Sequence, residues 1–124
     1  EIFIEDASST LSSALSTRGV GHRVPGLSMD DLCESLGIDA IGLVKMNIEG
    51  SERDALKGMT KTLAKTRNLV VACHDFRADR GDGEYFRTRA EVVATLRAAG
   101  FEVADPPQNA TVYVRDHVHA WRPG

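Results

Sequence analysis

The segment Ile41-Gly42-Leu43-Val44-Lys45-Met46-Asn47-Ile48-Glu49-Gly50-Ser51-Glu52-Arg53-Asp54-Ala55-Leu56-Lys57-Gly58 joins an apolar run to a polar helix start. The apolar part alternates little, which is typical of a strand covered by helices on both faces of a parallel sheet. Asn47, Glu49 and Glu52 follow where the strand gives way to the helix. Ligands of open α/β sheets bind beyond the carboxyl ends of the strands. The segment therefore predicts both a βα unit and the location of a site.

Three helix starts share the pattern Ser/Thr-x-x-Asp/Glu, which can place a side-chain acceptor and a carboxylate at the unpaired amides of a first helical turn. They begin at Ser28, Ser51 and Thr88. The predicted helices end at Gly37, near Asn68 and at Gly100. Gly58 lies inside the second helix and indicates close packing or a bend, because glycine lowers helix stability there by about 1 kcal/mol relative to alanine.

Apolar segments between these helices predict the strands, which span residues 1–5, 41–48, 69–73 and 101–104. After Pro106-Pro107, alternation over residues 110–121 predicts a last strand that runs antiparallel to the one before it. Residues 8–17 are rich in Ser and Thr and are predicted to be mostly loop. The order strand, helix, strand, helix, strand predicts an α/β fold with a parallel βαβαβ sheet that ends in an antiparallel hairpin.

The composition is that of a single ordinary soluble domain, with 124 residues, 42% hydrophobic residues and a net charge of −3. This charge is too mild to indicate nucleic acid or an anionic membrane as a partner, and neither is expected. We find neither an apolar segment of about 20 residues nor a secretory leader, and we expect a cytoplasmic protein with reduced Cys33 and Cys73. Because the first residue is Glu1, the chain is expected to begin inside a larger protein.

Residues 44–52, Val-Lys-Met-Asn-Ile-Glu-Gly-Ser-Glu, and 56–58, Leu-Lys-Gly, resemble the Lys-Ile-Asp-Val-Glu-Gly-Ala-Glu…Leu-Lys-Gly signature of the FkbM-type S-adenosylmethionine-dependent methyltransferases. Residues 24–32 resemble the segment of that family that ends in Leu-Asp-Asp-Leu. Residues 69–74 resemble its Val-Ile-Ile-Glu-x-His strand. Two positions depart from the family pattern, since Asn47 stands where the family has Asp and Cys73 where it often has Glu.

The resemblance implies that residues 1–124 form a single partial domain, the C-terminal half of a Rossmann-like class I methyltransferase fold. It also implies the cofactor S-adenosylmethionine. The family binds this cofactor largely through an N-terminal strand, Gly-rich turn and helix, and nothing before Ile41 fits that unit. We therefore expect the chain alone to bind the cofactor poorly and to be inactive, and the intact protein to methylate a hydroxyl of a sugar or glycosylated natural product.

Methyl transfer to a hydroxyl requires alignment and a base for the hydroxyl proton. The predicted base is His74, whose ordinary pKa lies near neutral pH, and Glu49 is predicted to orient it or to hold the hydroxyl. The predicted substrate- or cofactor-binding residues are Asn47, Glu52 and Asp75. The structural alternative is that Glu49 and Glu52 serve a helix N-terminus and that His74 is only a polar residue at a strand end.

Two further interpretations stay open, and neither needs the cofactor. One is an inactive α/β fragment or partner-binding module that pairs through an exposed sheet edge. The other is a metal-dependent hydrolase, with ligands from Glu49, Glu52, His74 and Asp75, or from His117 and His119. The loop of residues 77–85 is predicted to be a substrate lid, whose arginines could meet an acidic substrate; these are Arg77, Arg80 and the nearby Arg87.

Overall fold

A computed structural model describes residues 2–4 and 22–124 of the chain. The strands are β1 (Ile2–Ile4), β2 (His22–Val24), β3 (Ile41–Met46), β4 (Thr66–Ala72), β5 (Glu102–Val103) and β6 (His117–Trp121). The helices are α1 (Met29–Ser35), α2 (Glu52–Lys57), α3 (Thr60–Ala64), α4 (Asp75–Asp79), α5 (Arg89–Ala98) and α6 (Val112–Arg115), with a 3-10 turn at Glu84–Phe86. The predicted loop of residues 8–17 lies outside the described residues.

The main sheet has four strands in the order β3-β4-β6-β5. β3 and β4 are parallel and joined through α2 and α3, whereas β6 is antiparallel to both β4 and β5. A separate antiparallel pair joins β1 and β2. These strands and helices confirm the α/β class, the parallel crossover and the final hairpin. The predicted parallel βαβαβ sheet is found only in part, because β6 lies between β4 and the two-residue β5 and pairs antiparallel with both.

One face of this sheet carries the hydrophobic core. Val44 pairs with Leu69, and Met46 pairs with Val71. These four side chains pack with buried side chains of α2, α3 and α5. The opposite face is open in the described structure, where Leu43 is 59% exposed and Trp121 38% exposed. The prediction that helices cover both faces of β3 is therefore wrong for the described part of the chain, since α2, α3 and α5 pack on one face and Leu43 is exposed on the other.

The second predicted helix is divided into α2 and α3. The break falls at Gly58, where a Cβ atom would lie 3.0 Å from the Ser28 Cβ. Both the predicted close packing and the bend at this glycine are confirmed. The following strand begins at Thr66, three residues before the predicted start at Leu69, because pairing with β3 extends back to Ile41.

The last predicted strand, over residues 110–121, is too long. Residues 112–115 form α6 instead, with the amide of Arg115 donating to the carbonyl of Thr111. The sheet register explains this difference, since the pairing of β4 ends where Ala72 meets His117. Residues before His117 thus have no strand beside them among the described residues, and alternation alone does not keep them extended.

Only the first of the three predicted capping patterns forms as predicted. The Asp31 amide donates to the Ser28 hydroxyl at 3.1 Å, but neither Ser51 nor Thr88 makes a side-chain cap. Asp75 serves α5 instead, because its Oδ1 accepts from the amides of Thr88 and Arg89 at 3.0 and 2.9 Å. Among the residues described, no helix has the length and apolar character needed to cross a bilayer.

Candidate active site

The parallel pair β3 and β4 places His74 and Glu49 together. His74 lies two residues after the end of β4 and Glu49 three residues after the end of β3, so both extend beyond the same edge of the sheet. His74 Nε2 lies 3.0 Å from Glu49 Oε1. Strand adjacency thus brings together two side chains that are 25 positions apart in the sequence.

Glu52 holds the other side of the imidazole. Its carboxylate is fully buried at the first residue of α2, and its Oε1 lies 3.1 Å from His74 Nδ1. The same oxygen accepts from the Gly50 amide, and Oε2 accepts from the Thr88 hydroxyl at 3.1 Å. Both oxygens are therefore directed at protein groups, so the structure places Glu52 behind His74 rather than at the surface of the site.

Arg77 closes the site from the side of α4. Its Nη1 lies 3.1 Å from Glu49 Oε2, and its Nε donates to Asp82 at 2.9 Å. The guanidinium carbon lies 3.8 Å from the centre of the Phe86 ring. This pairing was not predicted. The sequence did contain a signal for it. Arg77 lies three residues after His74 at the start of a helix, and residues three apart on a helix lie on the same face.

The predicted lid, residues 77–85, packs against the site, but its arginines and the nearby Arg87 are already paired with carboxylates of the protein. Arg80 pairs with Asp82, and Arg87 pairs with both Glu84 and Asp79. The Tyr85 ring lies over the backbone of Gly50, where a Cβ atom would come within 2.7 Å of it. The segment is thus bound to the strand ends by side-chain contacts.

His74 carries its positive charge readily in this setting. Burial alone would lower its pKa, but the hydrogen bond with Glu52 and the charges of Glu49 and Glu52 outweigh burial and raise it above the ordinary value. Burial likewise opposes an ionised Glu52, yet its hydrogen bonds to His74 and to backbone amides lower its pKa. Since both imidazole nitrogens face carboxylate oxygens, the geometry is that of an imidazolium that donates twice.

The three side chains differ in depth. The exposed fraction falls from 16% for the Glu49 side chain to 7% for His74 and zero for Glu52. Glu49 is thus the member nearest solvent, and it has a left-handed backbone with φ of +50°. Such a conformation costs a non-glycine residue of order 1–3 kcal/mol and is enriched at functional sites. A polar substrate would reach Glu49 first.

The remaining predicted site residues lie at the edges of this cluster. Asn47 is exposed directly after β3, and Asp75 turns toward the start of α5. Cys73 is buried next to Thr88, and burial raises the pKa of its thiol to about 12, so it is not a nucleophile at neutral pH.

Metal binding receives no support in the part of the chain that the structure describes. No group of three or more His, Cys, Asp or Glu side chains is arranged there to hold an ion. His117 contacts the Tyr113 carbonyl through its Nδ1, while His119 is exposed on the open sheet face. The two histidines therefore share a strand but are not joined into a site.

Comparison with known proteins finds a family model and relatives that match parts of the chain. The model of the methyltransferase FkbM domain matches residues 2–103. The AMB antimetabolite synthetase AmbE of Pseudomonas aeruginosa is 34% identical over 89 residues, which are 70% of this chain and 4% of that protein. The 2-O-methyltransferase NoeI of Sinorhizobium fredii is 41% identical over 47 residues, 38% of this chain and 19% of that protein. The chain thus spans a small part of either relative. No solved structure is significantly similar to it.

Proposed function

Because the chain belongs to the methyltransferase FkbM domain family, we propose that it is the C-terminal part of an S-adenosylmethionine-dependent O-methyltransferase. The acceptor in this proposal is a hydroxyl of a sugar or glycosylated natural product, in agreement with the similarity to a 2-O-methyltransferase. The observation that supports it best is the His74 imidazole held between Glu49 and Glu52 at the ends of two parallel strands. Strand ends of this kind are where α/β enzymes bind their ligands.

The finer fold assignment, half of a Rossmann-like methyltransferase fold, belongs to the same proposal. It is supported by the parallel β3–β4 pair with its helical crossover, and by the strand β6 that runs against its neighbours. The open face of the sheet is compatible with further structure in the intact protein.

The residues described do not fit S-adenosylmethionine by themselves. A cofactor of this type supplies the methyl group, and its ribose hydroxyls would need an unengaged carboxylate. Here the Glu49 carboxylate is paired with His74 and Arg77, and Glu52 is enclosed. The proposal therefore assigns cofactor binding to other parts of the intact protein and derives only the handling of the hydroxyl proton from this chain.

His74 is the proposed base. In its neutral form it would donate Nδ1–H to Glu52, which leaves the Nε2 lone pair on the side of Glu49, the member of the cluster nearest solvent. The acceptor hydroxyl would give its proton to Nε2. Glu49 would then stabilise the resulting imidazolium, the pairing found here at 3.0 Å. Glu52 acts as a positioning residue in this scheme, since it fixes the tautomer and reaches no substrate.

The test compares variants of the intact protein. We expect His74→Ala to slow turnover by about 10²–10⁴-fold, the usual contribution of a general base, with little change in cofactor affinity. The exposed His119→Ala variant is the matched control and should keep both properties. An equal loss of turnover and cofactor binding in the His74 variant would contradict the base role.

The pH profile of turnover gives a second test. Because the hydrogen bond with Glu52 raises the pKa of His74, Glu52→Gln should shift the pH at which turnover rises to a lower value.

An inactive partner-binding module is the second candidate, favoured by the edge of β3, which pairs only with β4 among the described strands. Calorimetric titration with S-adenosylmethionine separates the two candidates. The enzyme proposal requires binding by the intact protein, whereas the module predicts none. A metal-dependent hydrolase would instead lose activity on chelation and retain it without S-adenosylmethionine.

A further inference from the structure

A second pocket lies on the other side of α4 from Glu49. Arg77 and Asp79 leave this helix in opposite directions, since Arg77 reaches Glu49 while Asp79 reaches Arg87 and Arg115. The pocket on the Asp79 side has a volume of about 360 Å³. Its lining consists of three aspartates, three arginines and one proline: Asp75, Asp79, Asp116, Arg87, Arg89, Arg115 and Pro106.

The aspartates of this pocket are already occupied by donors from the protein. Asp79 lies 2.8 Å from Arg87 and 3.3 Å from Arg115. Asp116 is buried, pairs with Arg115 at 2.7 Å and accepts from the Phe76 amide at 2.7 Å. Asp75 accepts two backbone amides at the start of α5. Two of the three arginines are thus neutralised, and the helix N-terminus is capped.

Arg89 is the exception. Its guanidinium forms no ion pair with any residue that the structure describes, and its Nε atom is buried without a hydrogen-bond partner. An unpaired buried donor of a charged group carries a desolvation cost that native proteins avoid by binding an ion, a water or a ligand. Among the described residues, Arg89 is therefore the arginine of this pocket that has no ion-pair partner.

We propose that this Arg89 pocket binds the carboxylate group of a small molecule. A guanidinium presents parallel donors that match the two oxygens of a carboxylate. A single negative charge suits the site better than a phosphate, because three aspartates share the lining and would repel a doubly charged group. The sequence predicted an acidic ligand at Arg77, Arg80 and Arg87, but those side chains are paired, and the unpaired one is Arg89. The proposal does not rest on methyl transfer.

Nuclear magnetic resonance on the full 124-residue chain tests the site, because the Arg89 Nε–H group gives its own signal. We expect propionate to shift this signal saturably, while propionamide, which has the same shape without the charge, leaves it unmoved. Arg89→Gln should weaken propionate binding at least about tenfold, whereas Arg97→Gln, an exposed arginine on the same helix, should leave it unchanged.

Further arms distinguish the outcomes. Arg89→Lys keeps the positive charge but loses the parallel donors of the guanidinium, and we expect it to bind propionate with intermediate affinity. This variant also tests the site if the glutamine variant is unfolded. Inorganic phosphate should bind more weakly than propionate, and tighter phosphate binding would overturn the assignment to carboxylates. A shift no larger than sodium chloride produces at equal ionic strength, or an unchanged response in both Arg89 variants, would overturn the site itself.

Discussion

His74 lies between two carboxylates, one at each ring nitrogen, and this arrangement gives the histidine a raised pKa despite its burial. Sequence reasoning placed His74 and Glu49 at neighbouring strand ends, and the structure brings them into contact. Their catalytic roles stay predictions. The partners Glu52 and Thr88 were not foreseen in this arrangement, since nothing in the local sequence indicates that a helix-start glutamate will turn inward onto a strand-end histidine.

The raised pKa of His74 predicts a pH-dependent stability. A group whose pKa is higher in the folded than in the unfolded state stabilises the protein fully below its unfolded pKa, about 6.5 for histidine. That contribution is lost as the pH rises through the raised folded pKa. Urea unfolding at a series of pH values should show the free energy of unfolding falling over this window.

The matched variants are His74→Gln and His119→Gln. The first should be less stable overall, with a flatter pH profile above about pH 6.5, because the titrating group is gone. The second changes an exposed histidine and should keep the profile of the parent protein. A parent profile that is flat above neutral pH would refute the charged pairing of His74.

At the scale of the element, the turn between β3 and α2 is the most constrained part of the site. Glu49 and Gly50 follow each other with φ of +50° and +99°. The turn directs Glu49 toward His74 and allows the Tyr85 ring to lie against the backbone. The glycine was visible in the sequence, but its positive φ and its contact with a residue 35 positions away were not.

Gly50→Ala should therefore destabilise the protein by about 1–3 kcal/mol, through the left-handed backbone and the overlap with Tyr85. Gly42→Ala is the control, since a Cβ atom there meets nothing within 4 Å and its φ is not positive. That variant should stay within about 0.5 kcal/mol of the parent protein. Denaturant midpoints measure both effects, and equal losses from the two variants would argue against strain at Gly50.

The helix starts, like this turn, depend on contacts that the local sequence does not show. Ser28 caps α1 as its pattern predicts, but Thr88 gives its hydroxyl to Glu52 and leaves the start of α5 to Asp75. The capping pattern records which side chains could accept locally. Tertiary packing brings the Thr88 hydroxyl next to the buried Glu52 carboxylate. It also places Asp75 within hydrogen-bond distance of the first amides of α5.

For the whole molecule, the main contrast is between the two faces of the sheet. Leu69 and Leu43 lie on paired strands, yet Leu69 is 1% exposed within the core and Leu43 is 59% exposed on the open face. The apolar run of β3 predicted that both faces of the strand are covered. Composition does not report which neighbouring elements are present, and those in the described structure cover only one face.

Truncation of these two leucines measures the asymmetry. Leu69→Ala should lower the free energy of unfolding by about 2–5 kcal/mol, the cost of a core cavity together with lost burial. Leu43→Ala should cost less than about 1 kcal/mol in the same chain, since most of its side chain is already in water. Equal costs, measured by urea unfolding, would show that the open face is covered in solution.

The sequence by itself determined the α/β class, the β3–α2 unit, the final hairpin and the pair of strand ends that carry Glu49 and His74. These follow from periodicity, turn residues and a short motif, which are local properties of the chain. Only the tertiary structure decided that β6 lies between β4 and β5, which sheet face is buried, and that Glu52 joins His74 and Thr88 across 22 and 36 positions. The physical reason is that hydrogen-bond partners and burial are set by whichever groups packing brings within reach, and local sequence does not encode that distance.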